Sequence, residues 1–106
     1  MKKQSSKKIQ RERNKKKAYE IVDNNWDGIC TGCGVEKPCT HSHIIPISED
    51  LNLESEPENI THHCMDCHLK WESHNILIMN ELLDFKKNMK YIQKMNLLYY
   101  NRIFNK

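Results

Sequence analysis

Apolar residues are sparse at the start of the chain: after Met1, only Ile9 interrupts a polar run that lasts to Lys17. A segment without apolar periodicity has no face to bury, so residues 1–14 are expected to be disordered or frayed unless a partner holds them. Over residues 15–22 the pattern becomes helix-compatible, with Ala18, Tyr19, Ile21 and Val22 supplying a short apolar face before Asp23-Asn24-Asn25 ends it. Trp26 and Ile29 follow among Gly28, Gly32 and Gly34, which accommodate tight turns; they are expected to pack beneath those turns. Residues 40–47 are rich in β-branched positions and stop near Pro46, which predicts a strand. On that strand His41, His43 and Ile45 share one face, while Ser42 and Ile44 point to the other. An acidic loop (48–58) leads to a short second strand over 59–63, and a helix carrying Leu69 and Trp71 starts at Cys64.

No proline follows Pro57 and no glycine follows Gly34, so residues 76–104 can run as one or two helices. Ile78, Leu82, Phe85, Met89, Ile92 and Tyr99 fall on steps of three and four, with Asn96 interrupting the sequence and Ile103 one step beyond. Such a heptad-like seam serves either packing on the same chain or a homodimer contact. The elements predict an α+β chain in three parts: a basic arm and short helix (1–24), a central module (25–75) and a helical extension (76–106).

Composition narrows the class. Only 38% of the 106 residues are hydrophobic, and a core this modest usually relies on a metal or a partner subunit. No apolar run approaches the roughly 20 residues needed to span a bilayer, and the charged N-terminus lacks the apolar region of a secretory leader. Five cysteines, an odd number, argue against a complete disulfide set. The expectation is an intracellular, cytoplasmic protein with reduced thiols. The net charge of +3 conceals an asymmetry: residues 1–17 hold nine Lys/Arg against one acid, and the remainder eight against thirteen. A basic arm on a mildly acidic body suits a polyanion. Lys7, Lys8, Arg11, Arg13, Lys15, Lys16 and Lys17 are the candidate phosphate contacts, with a solubilising tail as the plainer alternative.

Two CxxC pairs, Cys30-Thr-Gly-Cys33 and Cys64-Met-Asp-Cys67, have the layout of a structural zinc site. Cys39 is expected to be a free thiol nearby, able to replace one ligand. Between the pairs lie His43-Ile44-Ile45-Pro46 and Asn59, and His68 follows the second pair directly. Hydrolysis of a phosphodiester needs an activated water and a cation that neutralises developing charge. A histidine near neutral pH can take a proton from water, and another can offer imidazole to a cation.

The ordered set C-x2-C, HIIP, N, C-x2-C-H resembles the zinc-containing branch of the HNH endonuclease family, over about 40% of the chain from Cys30 to about Trp71. The resemblance implies a ββα-metal (His-Me finger) module that hydrolyses DNA and leaves 5′-phosphate and 3′-hydroxyl ends. By that resemblance His43 is the general base, Asn59 braces the loop that orients it, and His68 ligates a catalytic Mg2+ or other divalent cation beside the structural Zn2+. Ser42 stands where the family commonly carries Asp or His as a second ligand; Ser42, His41, His63 and acids of the 49–58 loop are the candidates for that place. The Ser-His pair and Trp71-Glu72-Ser73-His74-Asn75 also resemble, loosely, phage recombination nucleases of the lambda NinG/Rap type. That likeness implies double-stranded or branched DNA as the partner and a bacterial or phage-infected cell as the setting. The competing expectation is a non-catalytic, zinc-stabilised nucleic-acid-binding module. His62 and His74 read as surface residues, and Tyr99 and Tyr100 as packing residues.

Overall fold

In the computed structural model, which describes residues 6–104, the chain begins with a 19-residue helix, α1 (Ser6–Asn24). The outermost parts of the expected arm and extension, residues 1–5 and 105–106, lie outside the described residues. Order from Ser6 onward corrects the expectation of a frayed arm. Its Lys, Arg, Gln and Glu residues are good helix formers, and neither glycine nor proline interrupts them. Burial contributes little, since Ala18 is the one buried residue of α1. An ion pair from Arg11 Nη2 to Glu54 Oε2 (2.9 Å) instead ties the helix to the body.

Two short strands, β1 (Thr40–His43) and β2 (Ile60–His63), form an antiparallel pair. Thr40 lies opposite His63, His41 opposite His62, Ser42 opposite Thr61 and His43 opposite Ile60. The expected alternation holds over these residues, with Ser42 turned to the buried side. The strand ends four residues earlier than predicted. Ile44 N–H still reaches Asn59 O (2.8 Å), but Ile45 bonds to the Asn59 side chain through both its N–H and its carbonyl. Pro46 then has no N–H to offer. Both Ile44 and Ile45 are consequently buried instead of alternating.

The acidic connection is ordered by its own acids. Two 3-10 turns, Leu51–Leu53 and Pro57–Asn59, are capped by the side chains of Asp50 and Glu56. Glu49 pairs with Arg102 and Glu54 with Arg11. Helix α2 (Met65–Glu72) follows β2 and buries Cys67 and Trp71. The extension forms three helices, α3 (Ile76–Met79), α4 (Phe85–Met95) and α5 (Leu97–Phe104). It breaks at Asn96 and also before Phe85, giving three helices where one or two are expected.

One core runs through both regions: Cys30, Ile44, Ile45, Cys64, Cys67 and Trp71 cluster with Met79, Leu82, Phe85, Ile92, Tyr99 and Ile103. Leu82, Phe85, Ile92 and Tyr99 of the predicted seam are therefore spent on the chain's own core, together with Met79, which the 3-4 pattern omits. A homodimer through this seam would have to uncover it. Tyr100 packs against the same cluster. Among the described residues no helix is long and apolar enough to cross a membrane.

Candidate metal centre and hydrolytic site

The thiols of Cys30, Cys33, Cys64 and Cys67 all lie within 4.8 Å of one another and can hold a metal ion. The first pair sits on a loop whose Gly34 adopts φ +74° and whose Cys30 accepts the Gly34 N–H through its carbonyl (2.8 Å). Gly32 permits the second pair to approach: a Cβ there would stand 2.8 Å from Cys67 Cβ and 2.9 Å from its Sγ. The second pair straddles the start of α2, with Cys64 as N-cap. Burial alone would push the Cys30 thiol up, but backbone N–H groups of Cys64, Cys33 and Gly32 outweigh it and bring the group down to about 6. A thiolate stabilised by N–H donors among three further sulfurs fits a tetrahedral thiophilic ion. Cys39 stands outside the four. Its Sγ donates to Lys37 O (3.3 Å), and burial pushes it up to about 11.

Beside this cluster, His43, His68, Glu72, His41 and His74 line a cavity of about 170 Å³ with Pro46, Ile47 and Trp71. His43 ends β1, and its Nε2 lies 2.9 Å from Glu54 O. A carbonyl only accepts, so Nε2 carries a proton and Nδ1 is the nitrogen able to take one. Asn59, fully buried, holds the loop that presents that carbonyl. Its Oδ1 accepts from Ile45 N (2.8 Å), and its Nδ2 donates to Ile45 O (3.0 Å) and Leu53 O (3.1 Å). Unpairing a buried backbone group costs about 1–3 kcal/mol, so three such bonds make Asn59 the fixed point of the 45–59 connection. Arg11 secures the same loop from outside. Its hydrogen bond to Glu54, aided by its charge, lowers the Glu54 carboxyl below the ordinary range. That tie contributes stability above the ordinary carboxylate value and loses it as pH falls through the lowered one. Arg11 is thus engaged within the chain, unlike the open phosphate contact expected of it.

His68 projects from the first turns of α2. Thr40 Oγ1 donates to His63 O (3.0 Å) and has one hydrogen only, so it accepts from His68 Nδ1 (3.1 Å). His68 Nε2 then faces Glu72 Oε1 at 3.0 Å. An imidazole with Nδ1 anchored and Nε2 beside a carboxylate is suited to share a cation. Glu72 is absent from the sequence candidates, although its i+4 spacing from His68 on a helix is a signal that finds it.

Comparison with protein-family models, curated proteins and solved structures gave no match.

The remaining candidates divide sharply. Ser42 is no ligand for this cavity: strand alternation turns it inward, and its Oγ is buried without a hydrogen-bond partner. His63 is fully buried, and its Nε2 meets Asp84 Oδ2 (2.9 Å), which also accepts from Thr31 Oγ1 (2.8 Å). That network joins α4 to β2 and removes His63 from the metal candidates. His62 is not a surface residue; it is buried, stacks on Trp26 and reaches Asp23 Oδ1 at 2.7 Å. Trp26 therefore packs on the sheet, with its Nε1 donating to Ile29 O (2.8 Å). His41 borders the cavity, but its Nε2 also goes to Asp23 Oδ1 (2.8 Å). His74, exposed and at φ 56°, follows the end of α2.

Proposed function

We propose that the chain is a divalent-metal-dependent DNA endonuclease of the HNH type, built on a ββα-metal module that structural zinc holds together. The observation that carries this reading is the paired polarity across one cavity. His43 has Nδ1 left to accept a proton, and His68 Nε2 stands beside the Glu72 carboxylate. In this reading His43 takes the proton from the attacking water, while the Glu54 carbonyl fixes the ring through Nε2. Asn59 and Arg11 position that carbonyl. His68 and Glu72 would hold the catalytic cation, Glu72 supplying the carboxylate absent at position 42. When bound, the cation neutralises charge on the phosphate and on the leaving oxygen. Cys30, Cys33, Cys64 and Cys67 would hold zinc and lock α2 against the hairpin. Incubating the protein with supercoiled plasmid and Mg2+, Mn2+ or Ni2+ should give metal-dependent nicking. Bound but intact DNA under every ion would favour the non-catalytic binding module instead.

The basic helix α1 is the surface assigned to the DNA backbone. Lys7, Lys8 and Lys15 share with Arg11 a cavity beside Leu51 and Glu54, and Lys16, Lys17 and Arg13 are exposed. Phosphate contacts of this kind position DNA without reading its sequence. Changing Lys7, Lys15 and Lys16 together to alanine should weaken DNA binding. The slope of log affinity against log salt should become shallower by roughly 0.9 for each phosphate that is no longer neutralised. An unchanged slope would return these lysines to a solubilising role.

A further inference from the structure

His41 and His62 are direct cross-strand partners, so their side chains leave the same face of the hairpin side by side. Above them, the last turn of α1 presents Asp23. Its Oδ1 lies 2.8 Å from His41 Nε2 and 2.7 Å from His62 Nε2. Each imidazole is held flat by an aromatic ring: Tyr19 stacks on His41 (centroids 4.0 Å apart, planes 8° apart) and Trp26 on His62 (4.2 Å, 3°). The three donor atoms all fall within 4.8 Å of one another.

We propose that Asp23, His41 and His62 form a second metal site, distinct from the four-cysteine cluster and from the His68–Glu72 pair, that takes a divalent transition-metal ion of the zinc class. Two imidazoles and a carboxylate are a borderline donor set for Zn2+ or Co2+, and three protein ligands leave coordination positions for water. Both imidazoles are preorganised by strand register and stacking, so little ordering remains for the ion to impose. The side chains of Asp23 and His41 keep 47% and 28% of their exposure, which gives an ion a route in, whereas His62 at 7% forms the floor. Without an ion the two Nε2–H groups converge on one carboxylate oxygen; on binding, each ring's proton passes to Nδ1, which leaves the Nε2 lone pairs and the carboxylate to the cation. The ion would clasp the end of α1 to both strands and so fix the basic helix relative to the cavity that His41 also borders. This clasp does not depend on nuclease activity.

Cobalt titration of the full chain carrying a single equivalent of zinc, on the four thiolates, tests it, with tryptophan emission as one readout and bound Co2+ per chain as the other. Paramagnetic Co2+ on His62 should quench Trp26, which is stacked against it. Asp23→Asn retains an oxygen that accepts hydrogen bonds from both imidazoles. It should nevertheless lose affinity by more than the roughly 10–100-fold typical of changes outside the ligand shell, while the chain stays folded in the absence of Co2+ by circular dichroism. His68→Ala should keep the quenching and this equivalent of Co2+. Equal Co2+ affinity in Asp23→Asn and the unaltered protein, or quenching lost in His68→Ala instead, would overturn the assignment. So would the absence of any Co2+ binding beyond the thiolate site.

Discussion

Replacement of His43 by alanine is expected to slow DNA cleavage by about 10²–10⁴-fold, with DNA affinity and the folded structure retained. The affinity should survive because the phosphate contacts are assigned to α1, whereas His43 contributes a proton acceptor at the end of β1. The structure should survive because the His43 ring is tied to Glu54 O, and Asn59 and Arg11 hold that loop independently. Added imidazole should restore part of the rate, since it supplies the missing base and nothing else. Single-turnover cleavage of a labelled duplex, run beside a binding isotherm, separates the two effects. Cleavage by His43→Ala at the unaltered rate would remove the role given to this residue.

The second large effect concerns the four thiols. Stripping metal with a strong chelator, or changing Cys30 or Cys67 to serine, should unfold the module cooperatively. Structural zinc contributes an apparent 10–16 kcal/mol, roughly, in small zinc-finger peptides at pH 7, while whole domains are stable by about 5–15 kcal/mol. Here Cys30, Cys64 and Cys67 belong to the same buried cluster as Trp71, Leu82 and Phe85. Losing the metal thus leaves mutually repelling or protonated sulfurs inside the core. Acid should have a similar effect: Cys30, a thiolate down to about 6, must be protonated below that value, and metal binding weakens there. Circular dichroism with metal quantification checks this, and full retention of structure at zero metal would contradict it.

Much of the site is legible in the sequence because it rests on local spacing. The CxxC pairs place sulfurs in tight turns by themselves, and Thr40, Ile44, Ile45, Ile60 and Thr61 mark the two segments that become extended. Alternation along β1 also foretells that Ser42 does not point with His43. The unforeseen features depend on long-range packing. Asp23 meets His41 and His62 only once the hairpin register sets the two histidines opposite each other and α1 lies across them. Arg11 meets Glu54 across 43 positions, and His63 meets Asp84 across 21. Helix α1 escapes the hydrophobic pattern because apolar periodicity reports burial, and this helix is held by propensity, the Arg11–Glu54 pair, the Tyr19 stack on His41 and the Asp23 bonds to His41 and His62 instead. The predicted seam does not run as one continuous helix. Asp84, at the start of α4, is held by His63 and Thr31, and the Asn96 side chain accepts from Tyr99 N at the start of α5, so Phe85 and Tyr99 lie on the core.

Cleavage rate as a function of divalent metal tests the account most directly. Zinc-loaded protein, its His68→Ala variant and its Glu72→Gln variant would be titrated with Mg2+ or Mn2+ on supercoiled plasmid under single-turnover conditions. The expected result is no cleavage without the second metal, saturable cleavage with it, and a saturation point moved to higher metal in both variants. DNA that stays intact at every metal concentration while remaining bound, or cleavage indifferent to both substitutions, would contradict it.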